Sequence, residues 1–348
     1  MNGNSTAAVI GGGIIGTSIA WRLAQRGWRV TLFEKGELGS EASWAGAGML
    51  APGGEVEERS PFADLCIHSR SLYAAYVEEL VRESGTPIDY QECGAIDLAY
   101  TPDDWMRLQA RAAVQRTIGI ASREISPDRV QAFSPYVRTD SLTGALFYPD
   151  DGIVNPRDIM RALRVLCGKQ GVDVSEHTIV EHIDVRGSHA DVNGLPYDAA
   201  IVAAGAWSDR IEVAGAPPLP ASEPVKGHLI GFDLQLGACP TILRHGHTYL
   251  LQRGSGRLIA GSSVEHAGFD REISSPIVER LRDNATAVLP VLEKLETADV
   301  WTGLRPGARQ LYLGRWHGSP LVLAYGHFRN GILLAPASAE RIVAEIAS

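Results

Sequence analysis

Glycines close to the start of the chain have the spacing of a loop that binds phosphate. Gly11, Gly13 and Gly16 form a G-x-G-x-x-G pattern, and Glu34 follows further along. Glycine at these positions permits a tight turn, close approach of the backbone to a pyrophosphate, and close packing of a helix on a strand. A carboxylate about 20 residues later accepts hydrogen bonds from a ribose diol. The pattern predicts dinucleotide binding, against the alternative of a glycine-rich turn beside a surface glutamate.

The segments around these glycines predict a β-α-β unit. The apolar run Ala7–Ile10 indicates a buried parallel strand, and Gly13–Arg26 has helical spacing of its apolar residues. Arg29–Glu34 indicates the second strand. A helix that begins at the glycines turns its N-terminal amides toward a bound phosphate. These elements strengthen the prediction of dinucleotide binding, but they do not separate FAD from NAD.

A further segment, Glu41–Leu50, is rich in small residues and suits close contact of its backbone with a flat ring system. With this segment the sequence resembles the glycine oxidases of the D-amino-acid oxidase and sarcosine oxidase superfamily, FAD enzymes linked to thiazole biosynthesis. The resemblance spans nearly the whole chain. It rests on VIGGGIIGTSIAWRLAQRG with Glu34, EASWAGAGMLAP (Glu41–Pro52), DGIVNPR (Asp151–Arg157), VAAGAWS (Val202–Ser208), WTGLRPG (Trp301–Gly307) and GHFRNGILLAPA (Gly326–Ala337).

The resemblance implies a non-covalently bound FAD. It assigns the cofactor contacts to the glycine loop and its acid, to the Glu41–Leu50 segment, to short stretches further on, and to the start of the last helix. These residues are Gly11, Gly13, Ile14, Ile15, Gly16, Glu34, Lys35, Ser43, Ala47, Gly48, Met49, Val180, Ala204, Gly205, Trp207, Arg305, Arg329, Asn330, Gly331, Ile332 and Leu333. The amides that begin the last helix would lie near the flavin pyrimidine edge, where the helix dipole stabilises the negative charge of the reduced flavin.

The same resemblance implies a site for the carboxylate of a small amino acid. Arg305 would be its anchor, because guanidinium offers a carboxylate a bidentate fork. Arg329 and Tyr249 would lie beside it, and these three are the predicted catalytic residues. The predicted substrate pocket adds Met49, His247 and Val264. For an arginine taken alone, the alternative is a structural ion pair.

The implied reaction is oxidation of a carbon–nitrogen bond. A hydride passes from the substrate α-carbon to flavin N5, and the imine is hydrolysed to glyoxylate with release of ammonia or an amine. O2 then reoxidises the flavin and forms H2O2. Two alternatives stay open: a dehydrogenase of the same fold that passes electrons to a quinone or carrier, and an inactive FAD-binding protein. The arginines of a carboxylate clamp favour a catalyst.

Three positions depart from the glycine oxidase pattern. The stretch Ala308–Gly314 lacks the acid and the prolines that usually follow GLRPG, and Gln252 stands where a proline is common. Val264 stands where methionine is often found. A smaller side chain at this position opens room for a group on the substrate nitrogen. We therefore predict that a bulkier N-substituted glycine is a better substrate than glycine itself.

The remaining elements predict two kinds of sheet that are interleaved along the chain. Apolar stretches that end in glycine, such as Asp198–Gly205, indicate parallel strands, whereas Val225–Leu234, Thr248–Arg253 and Arg257–Ser262 indicate antiparallel strands. We predict a mixed α/β (α+β) fold, with a Rossmann-like FAD-binding domain and a second, mostly antiparallel-sheet substrate domain. The predicted division is discontinuous, with residues 1–90, 148–222 and 300–348 in the FAD-binding domain and residues 91–147 and 223–299 in the substrate-binding domain.

Charge and composition narrow the range of partners. The net charge of −9 disfavours binding to nucleic acid. The apolar N-terminal run lacks a preceding basic region and is too short to span a membrane. The four cysteines are far apart in sequence and His245-Gly-His247 is interpreted as a loop, so no metal site is predicted. We expect a cytoplasmic enzyme whose partners are a small amino acid and O2, and the resemblance suggests a homo-oligomer.

Overall fold

Helices and strands cover most of residues 5–347, the part of the chain that the computed structural model describes. The strands, in chain order, are β1 (Thr6–Ile10), β2 (Arg29–Phe33), β3 (Met49–Leu50), β4 (Tyr90–Gln91), β5 (Ala95–Ala99), β6 (Arg123–Glu124), β7 (Gly144–Tyr148), β8 (Gly152–Val154), β9 (Asp173–Ser175), β10 (His182–Arg186), β11 (His189–Val192), β12 (Leu195–Tyr197), β13 (Ala199–Val202), β14 (Glu212–Ala214), β15 (Ser222–Asp233), β16 (Ile242–His245), β17 (Thr248–Gln252), β18 (Arg257–Gly261), β19 (Asp299–Ala308), β20 (Tyr312–Arg315) and β21 (Leu321–Tyr325). The α-helices are α1 (Ile14–Gln25), α2 (Ala42–Ala45), α3 (Pro52–Glu55), α4 (Pro61–Ser84), α5 (Pro102–Thr117), α6 (Pro127–Phe133), α7 (Pro156–Lys169), α8 (Ser275–Val288) and α9 (Gly331–Ala347). Short 3-10 turns lie at Gly205–Arg210, Pro290–Lys294 and Phe328–Asn330.

The predicted β-α-β unit forms the centre of a six-stranded sheet with the order β20-β21-β13-β1-β2-β9. β1 pairs in parallel with β2 on one side and with β13 on the other. Alternate side chains of β1 enter different cores: Ala7 and Val9 pack with α1, while Ala8 and Ile10 pack with the four-stranded sheet β12-β11-β10-β14. A strand that is buried on both faces is apolar throughout, which is why this segment is a continuous apolar run.

An eight-stranded sheet with the order β19-β15-β18-β17-β16-β5-β7-β6 forms the second part of the fold. Its neighbouring strands pair antiparallel, except that β16 and β5 run parallel. α8 covers one face, where Leu281, Ala285 and Val288 pack against apolar side chains of β15 and β17. The mixed α/β fold, with one mostly parallel and one mostly antiparallel sheet, is confirmed.

The sheet pairing differs from the predicted division at residues 300–308. These residues were assigned to the FAD-binding segments, but β19 pairs with β15 from Ser222 opposite Ala308 to Gly231 opposite Asp299, within the antiparallel sheet. Gly303 and Gly307 weaken the strand pattern of this segment in the sequence. A Cβ at Gly303 would lie 2.5 Å from the Ala45 Cβ, so this glycine is required by close packing across the fold. The division into domains stays a prediction, and its residues 1–4 and 348 lie outside the described part of the chain.

The positions of proline and glycine set the ends of two helices. Within Ser274–Leu292, α8 ends at Val288 and a 3-10 turn starts at Pro290, because proline has no amide to continue the helical ladder. The last helix, α9, begins at Gly331.

Candidate active site

The backbone of the glycine loop between β1 and α1 packs so closely against the rest of the fold that a side chain would clash there. Gly11 has φ +109°, and a Cβ there would lie 2.4 Å from the carbonyl oxygen of Ala203. A Cβ at Gly16 would lie 2.0 Å from the Gly11 carbonyl oxygen, so this glycine lets α1 pack closely on β1. At the start of α1, the Ile14 amide donates to Ser43 Oγ at 2.9 Å. The other first-turn amides have no intrahelical acceptor and are available to a phosphate.

Glu34 is held at the end of β2 by two backbone amides. Its Oε2 accepts from the Gly12 amide at 2.7 Å and its Oε1 from the Gly36 amide at 2.8 Å. The carboxylate is buried yet lines the cavity described below, so its remaining lone pairs can accept hydroxyl donors. Next to it, the Lys35 ammonium lies 4.0 Å from the centre of the Trp207 ring and 2.7 Å from Glu41 Oε1.

One cavity of about 980 Å³ connects the glycine loop with the antiparallel sheet. The predicted site residues that line it come from both parts of the fold: Gly11, Gly13, Ile14, Ile15, Glu34, Lys35, Ser43, Ala47, Gly48, Met49, Val180, Ala204, Gly205, Trp207, His247, Tyr249, Val264, Arg305, Arg329, Asn330, Gly331 and Ile332. Gly16 and Leu333 are not among the lining residues. The Leu333 side chain is buried in the core, and its carbonyl accepts from Ser69 Oγ at 2.6 Å. The cofactor contact assigned to Leu333 stays a prediction.

Arg305 projects from β19 and is held by neutral oxygens. Its Nη2 donates to Ser262 Oγ at 2.8 Å, and its Nη1 donates to the carbonyls of Ser263 at 3.1 Å and Lys226 at 3.3 Å. Burial lowers the pKa of this guanidinium. No ion pair among residues 5–347 includes Arg305, so its positive charge is available to an anion that enters the cavity.

The Arg305 guanidinium lies against Gly227 of β15, a residue that sequence reasoning missed. A Cβ at Gly227 would lie 2.2 Å from Arg305 Nη2 and 2.4 Å from Nη1. The absence of a side chain therefore provides the space that the guanidinium occupies. A glycine inside a strand pattern signals close approach of another group, and the GH dipeptide within the run Val225–Leu234 carried that signal.

Tyr249 of β17 lies close to both Arg305 and Ser262, and Ser262 Oγ accepts from Arg305 Nη2. Burial raises the pKa of Tyr249, which keeps its hydroxyl protonated and able to donate. A Cβ at Gly261 would lie 2.7 Å from that hydroxyl, so a second glycine makes room for a functional group.

Arg329 differs from Arg305 because its charge is already matched. Its Nη2 and Nε donate to Glu55 Oε2 at 2.8 and 3.2 Å, and Asn330 Nδ2 contacts the same oxygen at 3.3 Å. Glu55, at the end of α3, lines the cavity and was not predicted. The structure therefore brings both arginines to one cavity but leaves only Arg305 without a carboxylate partner in the described chain.

The remaining predicted pocket residues surround this region of the cavity. Met49 is half-buried on β3, whereas His247 and Val264 are exposed at the cavity mouth. Two of the departures noted in the sequence lie elsewhere. Neither Gln252 nor the stretch 308–314 lines the cavity, and the Gln252 side chain accepts from the amides of a turn before β16.

The chain matches the family model of the FAD-dependent oxidoreductases named DAO over residues 6–346. It belongs to the DAO family. Among curated proteins, it is similar to the glycine oxidases of Geobacillus kaustophilus and of Bacillus subtilis, each 33% identical to this chain. The match with the first covers 94% of this chain and 89% of that protein, and the match with the second covers 95% and 90%. The crystal structure of glycine oxidase from Geobacillus kaustophilus superposes with a TM-score of 0.91 at 31% identity, over 99% of this chain and 95% of that one. These findings confirm the predicted family, the FAD cofactor and the enzyme class.

The residues of this DAO family member fit FAD. The glycine loop, which lines the cavity, and the first-turn amides of α1 would hold the pyrophosphate, and Glu34 would accept from the adenosine ribose. At the other end of the cavity, Gly331 and Ile332 begin α9 directly after Asn330, and the dipole of this helix would favour negative charge at the flavin. When it is bound, FAD supplies a two-electron acceptor to this site.

Residues 5–347 contain neither a metal-binding cluster nor a helix suited to cross a membrane. No cluster of three or more histidine, cysteine, aspartate or glutamate side chains in that range could hold a metal ion. None of the helices in that range combines the length and the apolar character that a membrane span requires.

His327 lines the cavity as a buried, neutral imidazole, and it makes the stability of the protein depend on pH. Its Nε2 lies 3.0 Å from Ser338 Oγ, and burial lowers the pKa of its ring to about 3. Because the ordinary pKa of histidine is about 6.5, the unfolded chain takes up this proton first as the pH falls. The stabilising contribution of His327 is therefore full above about pH 6.5 and decreases as the pH falls toward about 3.

We predict that His327→Gln removes part of this pH dependence. Between pH 7 and pH 5, the free energy of unfolding of the wild-type enzyme should fall by about 2 kcal/mol more than that of the variant. Urea unfolding at both pH values, with FAD at a fixed concentration, measures the difference. Equal losses in the two proteins would show that the imidazole is not held neutral by burial.

Proposed function

We propose that the enzyme oxidises the carbon–nitrogen bond of glycine or of an N-substituted glycine. The observation that carries the proposal is the part-buried guanidinium of Arg305, which is hydrogen-bonded only to neutral oxygens. A charge that is partly withdrawn from water is stabilised by a partner, and a carboxylate matches guanidinium in a bidentate pair. The substrate carboxylate would be that partner. The two relatives named glycine oxidase support a substrate of this size.

In this proposal the chain positions its substrate and FAD accepts the electrons. Arg305 and the Tyr249 hydroxyl hold the carboxylate, so that the α-carbon faces the flavin. The substrate nitrogen must be unprotonated, because its lone pair forms the imine as the α-C–H bond breaks with its electron pair. When bound, FAD would supply the acceptor for that electron pair, and O2 is the predicted final acceptor, which would give H2O2. Water then hydrolyses the imine to glyoxylate and an amine or ammonia.

Arg329 has a smaller role in this proposal than the sequence suggested. Its ion pair with Glu55 leaves it less positive charge to offer a substrate, so Arg305 is the main anchor. O2 as electron acceptor, the cytoplasmic location and a homo-oligomeric assembly stay predictions.

A substrate panel tests the proposed reaction. Purified yellow enzyme is mixed with glycine, sarcosine, longer N-alkyl and N-carboxymethyl glycines, and D-alanine, and H2O2 and glyoxylate are measured. We expect both products from glycine derivatives, with higher kcat/KM for one of the N-substituted compounds than for glycine. Flavin bleaching without air and without H2O2 formation in air would indicate a dehydrogenase. The absence of bleaching by every compound would contradict the proposal.

Gly227→Ala tests whether the position of Arg305 determines substrate binding. The new methyl group must displace the guanidinium, which ends a flexible side chain, so the fold should survive. We expect KM for the best substrate to rise about tenfold with a much smaller change in kcat. Gly231→Ala on the same strand is the matched control, because its Cβ would meet no atom closer than 3.4 Å. A similar KM in the two variants would contradict the role of Arg305.

Val264→Met tests the prediction about the nitrogen substituent. Val264 is 51% exposed at the mouth of the cavity, so the longer side chain can be accommodated without disturbing the core. We expect kcat/KM for a bulky N-substituted glycine to fall more than kcat/KM for glycine, because the methionine occupies the space of the substituent. An equal loss for both compounds would reject the idea that residue 264 sets this preference.

A further inference from the structure

A buried group of side chains lies behind the Arg305 guanidinium and outside the cavity. We call this group the Arg305 support and define it as His228, Ser263 and Glu265, none of which lines the cavity. We infer that His228 and Ser263 hold the Glu265 carboxylate away from Arg305, so that the guanidinium stays available to the substrate carboxylate. They would be positioning residues, and the inference rests on the proposed function of Arg305.

The oxygens that hold Arg305 belong to the same short piece of backbone as the support. Two of its acceptors are the carbonyls of Ser263 and Lys226. Lys226 and Glu265 form a two-way backbone bridge, in which each amide donates to the other carbonyl at 2.9 and 3.0 Å. The position of the guanidinium therefore depends on how the segment around Glu265 is attached to β15.

The carboxylate of Glu265 is occupied by two donors of the support. Its Oε1 accepts from Ser263 Oγ at 2.5 Å and from His228 Nδ1 at 2.8 Å. Ser263 Oγ in turn accepts from the His228 amide at 2.7 Å. These contacts hold the Glu265 side chain close to β15, and they give its carboxylate two hydrogen-bond donors within the support.

The protonation of the His228 ring follows from its other partner. The Ser274 amide lies 3.0 Å from His228 Nε2, and a backbone amide can only donate. Nε2 therefore carries the lone pair, and the ring proton is on Nδ1, where it points at Glu265. The imidazole, which is completely buried, links Glu265 to the residue that precedes α8.

The negative charge of Glu265 matters for the active site because it can act on the Arg305 guanidinium. Glu265 is close enough for its carboxylate to act electrostatically on Arg305, yet the guanidinium is bonded only to neutral oxygens. A carboxylate without the His228 and Ser263 donors would be free to turn toward Arg305, which forms no ion pair within residues 5–347. An internal ion pair would then compete with the substrate carboxylate, since both require the same guanidinium.

Lys226, beside the same segment, carries a buried charge that is stabilised by partners of its own. Its ammonium is 3% exposed and donates to Asp270 Oδ2 at 2.6 Å and to the Glu272 carbonyl at 2.5 Å. Lys226 and Glu265 thus each have hydrogen-bonding partners for their charge, whereas Arg305 is bonded to neutral oxygens. The Arg305 guanidinium is the group that the proposed reaction needs.

The test combines single and double variants of the FAD-loaded enzyme. His228→Leu removes the donor to Glu265, and His228→Asn keeps an amide donor near the position of Nδ1. The double variant His228→Leu with Glu265→Gln removes the released charge as well. Affinity is measured with acetate, a carboxylate without an amine, through its perturbation of the flavin absorbance, and KM and kcat are measured with the best substrate of the panel.

We expect His228→Leu to raise the acetate Kd and KM about tenfold and to change kcat far less. His228→Asn should lie close to the wild type, and the double variant should recover most of the lost affinity even if its melting temperature is lower. Gln252→Leu is the matched control for loss of a buried polar network in the same sheet, and it should lower the melting temperature without changing the acetate Kd.

Two results would overturn the inference. An unchanged acetate Kd in His228→Leu would show that the support does not act on Arg305. A double variant as weak as the single variant would show that the released Glu265 charge is not the cause. Arg305→Leu distinguishes these failures from failure of the proposed function: if Arg305→Leu leaves the acetate Kd unchanged, the role of Arg305 itself is wrong and the inference falls with it.

Discussion

The site is organised around a positive charge that the protein partly buries without pairing it with a carboxylate. Arg305 is held by a hydroxyl and two carbonyls, whereas Arg329, in the same cavity, is paired with Glu55. A guanidinium bonded to neutral oxygens is fixed in place yet keeps its net charge, so it can bind an anion strongly where solvent is largely excluded. The arrangement costs stability, since burial lowers the pKa of Arg305. The chain accepts that cost at the point where a substrate carboxylate would offset it.

The cavity requires the two sheets to be held at a defined separation, and a second buried arginine does part of this. Arg253, at the end of the β17 strand, donates to the carbonyl of Val154 at 2.7 Å and to that of Ala47. Burial lowers the pKa of Arg253 to about 10, which still leaves it charged at neutral pH. Trp301 of β19 adds a bond from its indole to the Ala45 carbonyl at 3.0 Å. These contacts fix the backbone of the Glu41–Leu50 segment between the glycine loop and the antiparallel sheet.

Glycine has two separate functions in this architecture. In the loop after β1 it provides a backbone conformation and an open surface for the cofactor. In the antiparallel sheet, Gly227 and Gly261 instead make room for the functional groups of Arg305 and Tyr249. Gly303 and Gly307 also lie in a strand, β19, and because glycine has no side chain they weaken the strand pattern of this segment in the sequence.

The sequence by itself determined the features that depend on local order along the chain. The β-α-β unit, the glycine loop with Glu34, the start of the last helix and the mixed α/β fold could be predicted, because periodicity and glycine spacing reflect local geometry. Resemblance also identified Arg305, Tyr249 and Arg329 as a group. Only the tertiary structure decided how these groups differ. That Glu55 neutralises Arg329, that Gly227 makes room for Arg305, and that His228 binds Glu265 are contacts between segments distant in sequence, and no pattern along the chain records which side chains meet.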